Sequence, residues 1–224
     1  MKQISFYFDF VSPYSFLAWD ELLQIAARNQ AELRIVPVLL AGLLNAHGQK
    51  GPAEIPAKRD YVFIDLLRWC HKRGETIQGP PARPFNPLSA LRLCEAVGDT
   101  NNRVRVANAL FSACWRKGQD ISDKTVLVRL LDELGLDAKT LMAEIETSNI
   151  KERIKQNTNE AISLHVFGVP TFVVDNELFW GHDRLCHLED YLKGGLDIDQ
   201  NLAAEMLARP RGADRKEVKS AEDA

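Results

Sequence analysis

Residues 4–10, ISFYFDF, alternate and are rich in aromatic side chains, which predicts a buried strand. Ser12 followed by Pro13 reads as a helix opening, with serine at the cap and proline at the first helical position. Behind it Phe16, Trp19, Leu22, Leu23 and Ala26 keep helical spacing. The run AELRIVPVLL, residues 31–40, predicts a second strand with Pro37 near its end. Strand, helix and strand make a βαβ unit, which favours a parallel pair joined by a right-handed crossover.

From residue 41 the pattern changes. GQKGPAEIPAK (48–58) and GPPARPFNP (79–87) are loops rich in Gly and Pro. Helical spacing recurs over roughly 57–73, 87–97, 101–116, 122–134, 137–147 and 149–164, with no convincing strand among them. TFVV and ELFW then flank Asp175-Asn176, the signature of a hairpin. A helix is expected over 183–192, and from Glu205 the chain turns polar and charged. The predicted class is α/β: βαβ, a long helical insertion, then ββα, the element order of a thioredoxin fold. The expected division is 1–40 with 166–200 as the thioredoxin-like unit and 41–165 as the helical insertion. Residues 201–224 form a polar segment whose end is expected to be disordered.

Composition narrows the function classes. A chain of 224 residues with 46% apolar and 26% charged residues is in the ordinary globular range. A net charge of −3 gives no broad attraction to nucleic acid or to an anionic membrane. Asp9 interrupts the one N-terminal stretch that resembles a signal segment, so a cytoplasmic location is expected. Cys70, Cys94, Cys114 and Cys186 are scattered and read as reduced, small apolar residues. His182 and Cys186 share a helical face without further ligands beside them, so no metal is expected.

The chemistry concentrates where the first strand meets the first helix. In redox proteins of thioredoxin type, Cys-x-x-Cys opens the helix at this point. Here the motif is Ser12-Pro13-Tyr14-Ser15, without a thiol. Thioredoxin-like proteins also place a proline, usually cis, at the start of the third strand, and GVPTF (168–172) occupies that slot. The residues alone leave Ser12 open between a helix cap and an active-site group. Pro170 is equally open between that cis proline and an ordinary strand-initiating one.

FYFDFVSPYSFLA, IPAKRDY, FGVPTF and WGHDRL, in this order, resemble the 2-hydroxychromene-2-carboxylate isomerases and the related kappa-class glutathione transferases. These families are DsbA-like members of the thioredoxin superfamily, and the likeness extends to about residue 200. It implies that the missing thiol is imported as the sulfur of bound glutathione, held by Ser12. The Val169 backbone beside Pro170 would pair with its cysteinyl part. Gly181-His182-Asp183-Arg184 matches the family's G-[SN]-D-R segment and would hold the γ-glutamyl end, with His182 replacing a smaller polar residue. Gln49 stands where the kappa-class loop has Asn, and Lys58 would face the glycyl carboxylate or an acidic substrate. Lys58, Arg83, Asn86 and Tyr14 are the implied substrate contacts, and Asp65 either faces the site or is solvated. The implied activity is glutathione-dependent cis-trans isomerisation of an aromatic or enone carboxylate by a homodimer without nucleic-acid or membrane partners. A conjugating transferase and a non-catalytic peptide-binding module are the alternatives.

Overall fold

The computed structural model describes residues 1–82 and 84–213. Strand β1 (Gln3–Phe8) leads into α1 (Pro13–Arg28) and β2 (Glu32–Pro37); β3 (Thr171–Val174) and β4 (Glu177–Trp180) follow much later. They form one sheet in the order β2-β1-β3-β4. β1 and β2 are parallel, with Phe6 opposite Ile35, while β3 runs antiparallel to β1 and to β4. The βαβ…ββα order expected from the hydrophobic pattern is therefore present.

The alternation in β1 explains why it reads as buried throughout. Ile4, Phe6 and Phe8 enter the main core with Trp19 of α1 and Phe172 of β3. Tyr7 packs on the opposite face with Val36, Val38 and Val173. Phe6 stacks on Phe8 at 5.0 Å and on Phe172 at 5.3 Å between centroids, and Phe10 meets Phe111 edge-on at 4.8 Å. Each such fully buried ring contributes roughly 1.5–3 kcal/mol through burial alone. The β3–β4 hairpin turns at Asp175 and Asn176, whose φ values of 50° and 70° are those of a turn matched to the strand twist.

Between β2 and β3 lie α2 (Leu40–Ala46), α3 (Pro56–Arg73), α4 (Leu88–Ala96), α5 (Thr100–Phe111), α6 (Lys124–Glu133), α7 (Ala138–Glu144) and α8 (Ser148–Ser163). After the sheet come α9 (Leu185–Leu192) and α10 (Gln200–Leu207). Helices α3 to α9 fall close to the predicted ranges. Residues 112–116, read as the end of one helix, form a π-helical turn instead.

Two further elements differ from expectation. The second strand stops at Pro37 rather than at residue 40, because Leu40 already opens α2. The segment read as polar from residue 201 begins helical, as α10, capped by the Asp199 carboxylate on the Asn201 and Leu202 amides. Its expected disordered end, 214–224, lies outside the described residues.

One tie between the helical segment and the sheet is centred on a buried carboxylate. Glu95 of α4 is 3% exposed and accepts from Arg103 of α5 at 3.2 Å and from Arg153 and Asn157 of α8 at 2.8 and 3.0 Å. Arg103 also donates to the carbonyl of Ile35, and Asn157 to that of Pro37, both in β2. Removing the acceptor strands several donors at once. Glu95→Ala is expected to cost about 3 kcal/mol, the lower end for breaking a buried ion pair because Arg153 is half exposed. Urea denaturation followed by circular dichroism checks this through a lowered midpoint at unchanged slope.

Candidate active site

Ser12 sits where the C-terminal end of β1 meets the N-terminus of α1 and is 6% exposed. Its extended backbone makes it the cap: its Oγ accepts from the Ser15 amide at 3.2 Å, and Pro13 follows at the first helical position. The same Oγ donates to the carbonyl oxygen of Val169 at 3.3 Å. Val169–Pro170 is a cis peptide bond. One hydroxyl therefore joins the helix N-terminus to the segment that enters β3. Ser15, also buried, has an Oγ without a partner among the described residues.

Asp9 lies under this turn, 1% exposed. Its carbonyl accepts from the Ser12 amide at 3.1 Å. Burial pushes its carboxyl up to about 6, opposed by the backbone amides that it accepts from.

A second wall rises from α3 and from the turn before α9. Tyr14 stacks on His182 with centroids 5.0 Å apart and planes 19° apart, and Trp69 meets His182 edge-on at 4.6 Å. The Tyr14 hydroxyl donates to Asp65 at 3.0 Å. Burial, and after it the Asp65 carboxylate, push the Tyr14 hydroxyl well above the ordinary phenol range, so it stays protonated. His182 is 7% exposed and its Nε2 has no partner among the described residues. Burial, then the charge of Arg73, push its imidazole down to about 4, with Asp183 and Asp65 opposing. It is a neutral ring.

Backbone geometry explains the glycine before it. Gly181 has φ 107°, and a Cβ there would lie 2.5 Å from Oδ1 of Asp183, while its amide donates to the Pro170 carbonyl at 2.9 Å. Asp183 stands exposed in the short turn His182–Arg184.

The structure thus brings Ser12, Tyr14, Val169, Pro170, Gly181 and His182 together, with Asp183 at their edge. Gln49 and Lys58 are exposed and join this cluster through no hydrogen bond or ion pair among the described residues. Lys58 lies in the first turn of α3, and Gln49 follows the end of α2, where His47 Nε2 lies 3.2 Å from the Val166 carbonyl. Asn86 uses its side-chain oxygen to accept from the Leu88 amide at the start of α4. Arg83 lies outside the described residues. Asp65, left open by the sequence, is half-buried and bonded to Tyr14. Sequence reasoning missed Trp69 and Arg73. The signal was the spacing of Asp65, Trp69 and Arg73, every fourth residue along one face of α3. Among the described residues no group of His, Cys, Asp or Glu is arranged to hold a metal ion, and no helix is long and apolar enough to cross a membrane.

Comparison with known proteins shows the family. The family model of the DSBA-like thioredoxin domain matches residues 3–193. A 2-hydroxychromene-2-carboxylate isomerase from a Pseudomonas species is 34% identical over 200 residues, 85% of this chain and 90% of that protein. Glutathione S-transferase kappa 1 from Rattus norvegicus is 26% identical over 213 residues, 86% of this chain and 91% of that one. The solved structure of a selenomethionine 2-hydroxychromene-2-carboxylate isomerase superposes with a TM-score of 0.80 at 27% identity, over 92% of this chain and 98% of that one.

The buried imidazole gives a test of this cluster. His182 titrates near pH 4 when folded but near 6.5 when unfolded, so the fold favours its neutral form. Its contribution is complete above pH 6.5 and is lost as pH falls from there toward 4. The stability of the wild type relative to His182→Asn should therefore decline over that window and be constant above it. Imidazole NMR should show one ring that stays neutral at pH 5.

Proposed function

We propose a function from one premise: the chain belongs to the DSBA-like thioredoxin family, on its 2-hydroxychromene-2-carboxylate isomerase branch. It is a glutathione-dependent cis-trans isomerase acting on a 2-hydroxychromene-2-carboxylate type of substrate to give the trans-benzylidenepyruvate. The observation that carries this reading is the Ser12 hydroxyl. It is buried at the start of a 16-residue helix, beside Val169 and cis-Pro170, in a motif with no thiol of its own.

The residues present fit a bound tripeptide thiol. The first turn of α1 offers amide groups and a partial positive charge to an anion. Gly181 leaves beside Asp183 the space that any side chain would take. When bound, glutathione supplies a thiolate that adds to the conjugated double bond of the ring-opened substrate and departs after rotation about that bond. Ser12 turns its proton from the Val169 carbonyl to the sulfur, holding it as the anion. A free thiol has a pKa of about 8.5, and one charge-assisted hydrogen bond contributes about 1.5–3 kcal/mol, one to two pKa units. Val169 pairs its backbone with the cysteinyl part next to Pro170. Asp183 accepts from the γ-glutamyl ammonium, with Gly181 and His182 shaping that end.

Lys58 meets a carboxylate of glutathione or of the substrate, and Gln49 assists on the adjoining loop. Arg83 contributes a guanidinium suited to bidentate carboxylate binding, and Asn86 the amide nitrogen that its bond to Leu88 leaves available. Tyr14, Trp69 and His182 present flat rings, which suits a planar aromatic substrate. Since Tyr14 stays protonated and His182 neutral, neither ring repels or neutralises the anion. Residues 1–40 and 166–200 are the thioredoxin-like unit in this reading, and 41–165 the insertion. The enzyme is a cytoplasmic homodimer, for which the exposed Tyr61, Ile64 and Leu67 of α3 offer an apolar face.

Kinship with kappa-class transferases leaves one competing reading, in which the thioether leaves as product. The assay separates the two. With substrate and reduced glutathione, isomerisation should proceed at constant total glutathione, whereas conjugation consumes it mole for mole. Ser12→Ala should lower kcat/KM about 10- to 100-fold, one charge-assisted hydrogen bond, and lose about 1 kcal/mol of stability with the helix cap. Calorimetry should find glutathione binding to the wild type; no binding would overturn the imported-thiol reading.

A further inference from the structure

We propose that Asp9 is a positioning residue for the thiol site, its carboxylate clamping the turn that carries Ser12 to the start of α2. This rests on the reading of Ser12 as the residue that holds glutathione. The clamp joins two elements distant in the chain. Oδ1 accepts from the Val11 amide at 3.1 Å, and Oδ2 from the Leu40 amide at 2.9 Å. Leu40 is the first residue of α2, and its cap residue Leu39 makes no side-chain cap bond, so Asp9 supplies that cap from another element. On its other side the main chain of Asp9 accepts from Ser12 itself.

Each oxygen of the carboxylate accepts one amide, and an oxygen that carries a proton is the weaker acceptor. The groups that act on its charge are the amides of Leu40, Val11 and Phe10. No Lys, Arg, His or second carboxyl does so among the described residues. Protonation weakens the acceptance at one of the two oxygens, and the clamp slackens on that side. Burial brings this event up to about pH 6. Above it the Ser12 turn is held; below it the turn is loosened. α2 leads into the loop bearing Gln49, so the one carboxylate bears on the Ser12 turn and on the helix before that loop.

A reporter lies beside the clamp. The buried indole of Trp115 donates to the carbonyl of Phe10 at 3.0 Å, one residue from Asp9. In wild type without ligand, its indole N–H resonance should titrate with a midpoint near pH 6. Asp9→Asn offers one acceptor where two are needed, and should abolish the titration. Leu40→Pro removes the Leu40 donor while retaining the carboxylate. The variant suits the fold, since proline is accepted at a first helical position and Leu39 is already extended (φ −90°, ψ 108°). It should move the Trp115 midpoint upward.

Binding is read with S-methylglutathione, whose sulfur cannot ionise. Wild-type affinity should fall about three- to tenfold from pH 7 to pH 5, the net contribution of one hydrogen bond, while Asp9→Asn is weak and flat across that range. A Trp115 resonance that is flat in wild type, or wild-type binding by Asp9→Asn, overturns the proposal. If Trp115 titrates as expected but neither glutathione nor its S-methyl form binds the wild type, the glutathione reading fails. The role of Asp9 toward a thiol then falls with it, while the clamp itself is established.

Discussion

The site depends on one hydroxyl with one proton to give. Ser12 and Val169 are 157 residues apart in the chain, and the Ser12 hydroxyl is what links them directly. Its acceptor side is committed to the Ser15 amide, which caps α1, while its donor side rests on a carbonyl at the long distance of 3.3 Å. Capping and donation use different parts of the same oxygen, so turning the proton elsewhere leaves the helix start intact. A neutral hydrogen bond of about 0.5–1.5 kcal/mol can then be exchanged for a charge-assisted one of about 1.5–3 kcal/mol. In the proposed reading, that exchange needs no rearrangement of the scaffold.

Burial sets the electrostatic character of everything around that hydroxyl. Asp9 is pushed toward its protonated form, Tyr14 is held protonated and His182 is held neutral, in each case with desolvation as the first cause. The environment thus disfavours charge on these side chains, while the start of α1 offers amide dipoles to an anion. Such dipoles act strongly where water is excluded. The stability consequences of the two shifted groups oppose each other. As pH falls from about 6 toward 4, the fold gains because Asp9 takes up a proton that the unfolded chain does not, and loses because the unfolded chain protonates His182 while the folded one does not. Their sum conceals what each variant separately reveals.

Legibility in the sequence follows the range of the interactions. The β1–α1 junction reads well because Ser12 and Pro13 carry a local cap signal, and the hairpin because Asp175-Asn176 tolerates positive φ. α2 does not read, since Val38, Leu39 and Leu40 continue an apolar run that looks like strand. Its cap comes from Asp9, 31 residues earlier. Ser12, Val169, Gly181 and His182 come from motifs that survive as short strings. Trp69 and Asp65 come from a helical face whose every-fourth spacing also fits an ordinary amphipathic helix, and their partners Tyr14 and His182 lie on other elements.

That last contrast separates two tasks within the fold. Residues held by the sheet and α1 present the hydroxyl, the Val169 carbonyl and the cis proline. The helices between β2 and β3 supply Asp65 and Trp69 to one wall, and Trp115 holds the carbonyl of Phe10 beneath the Ser12 turn. Glu95 fastens these helices to β2 through Arg103, Asn157 and the carbonyls of Ile35 and Pro37. Because β2 is paired along its length with β1, a disturbance of that network is passed to the strand that delivers Asp9 and Ser12. Substitutions that change which ring lies against Tyr14 and His182 should therefore fall on α3. Substitutions that change how any thiol is held should fall at the β1–α1 turn, whichever substrate the helices select.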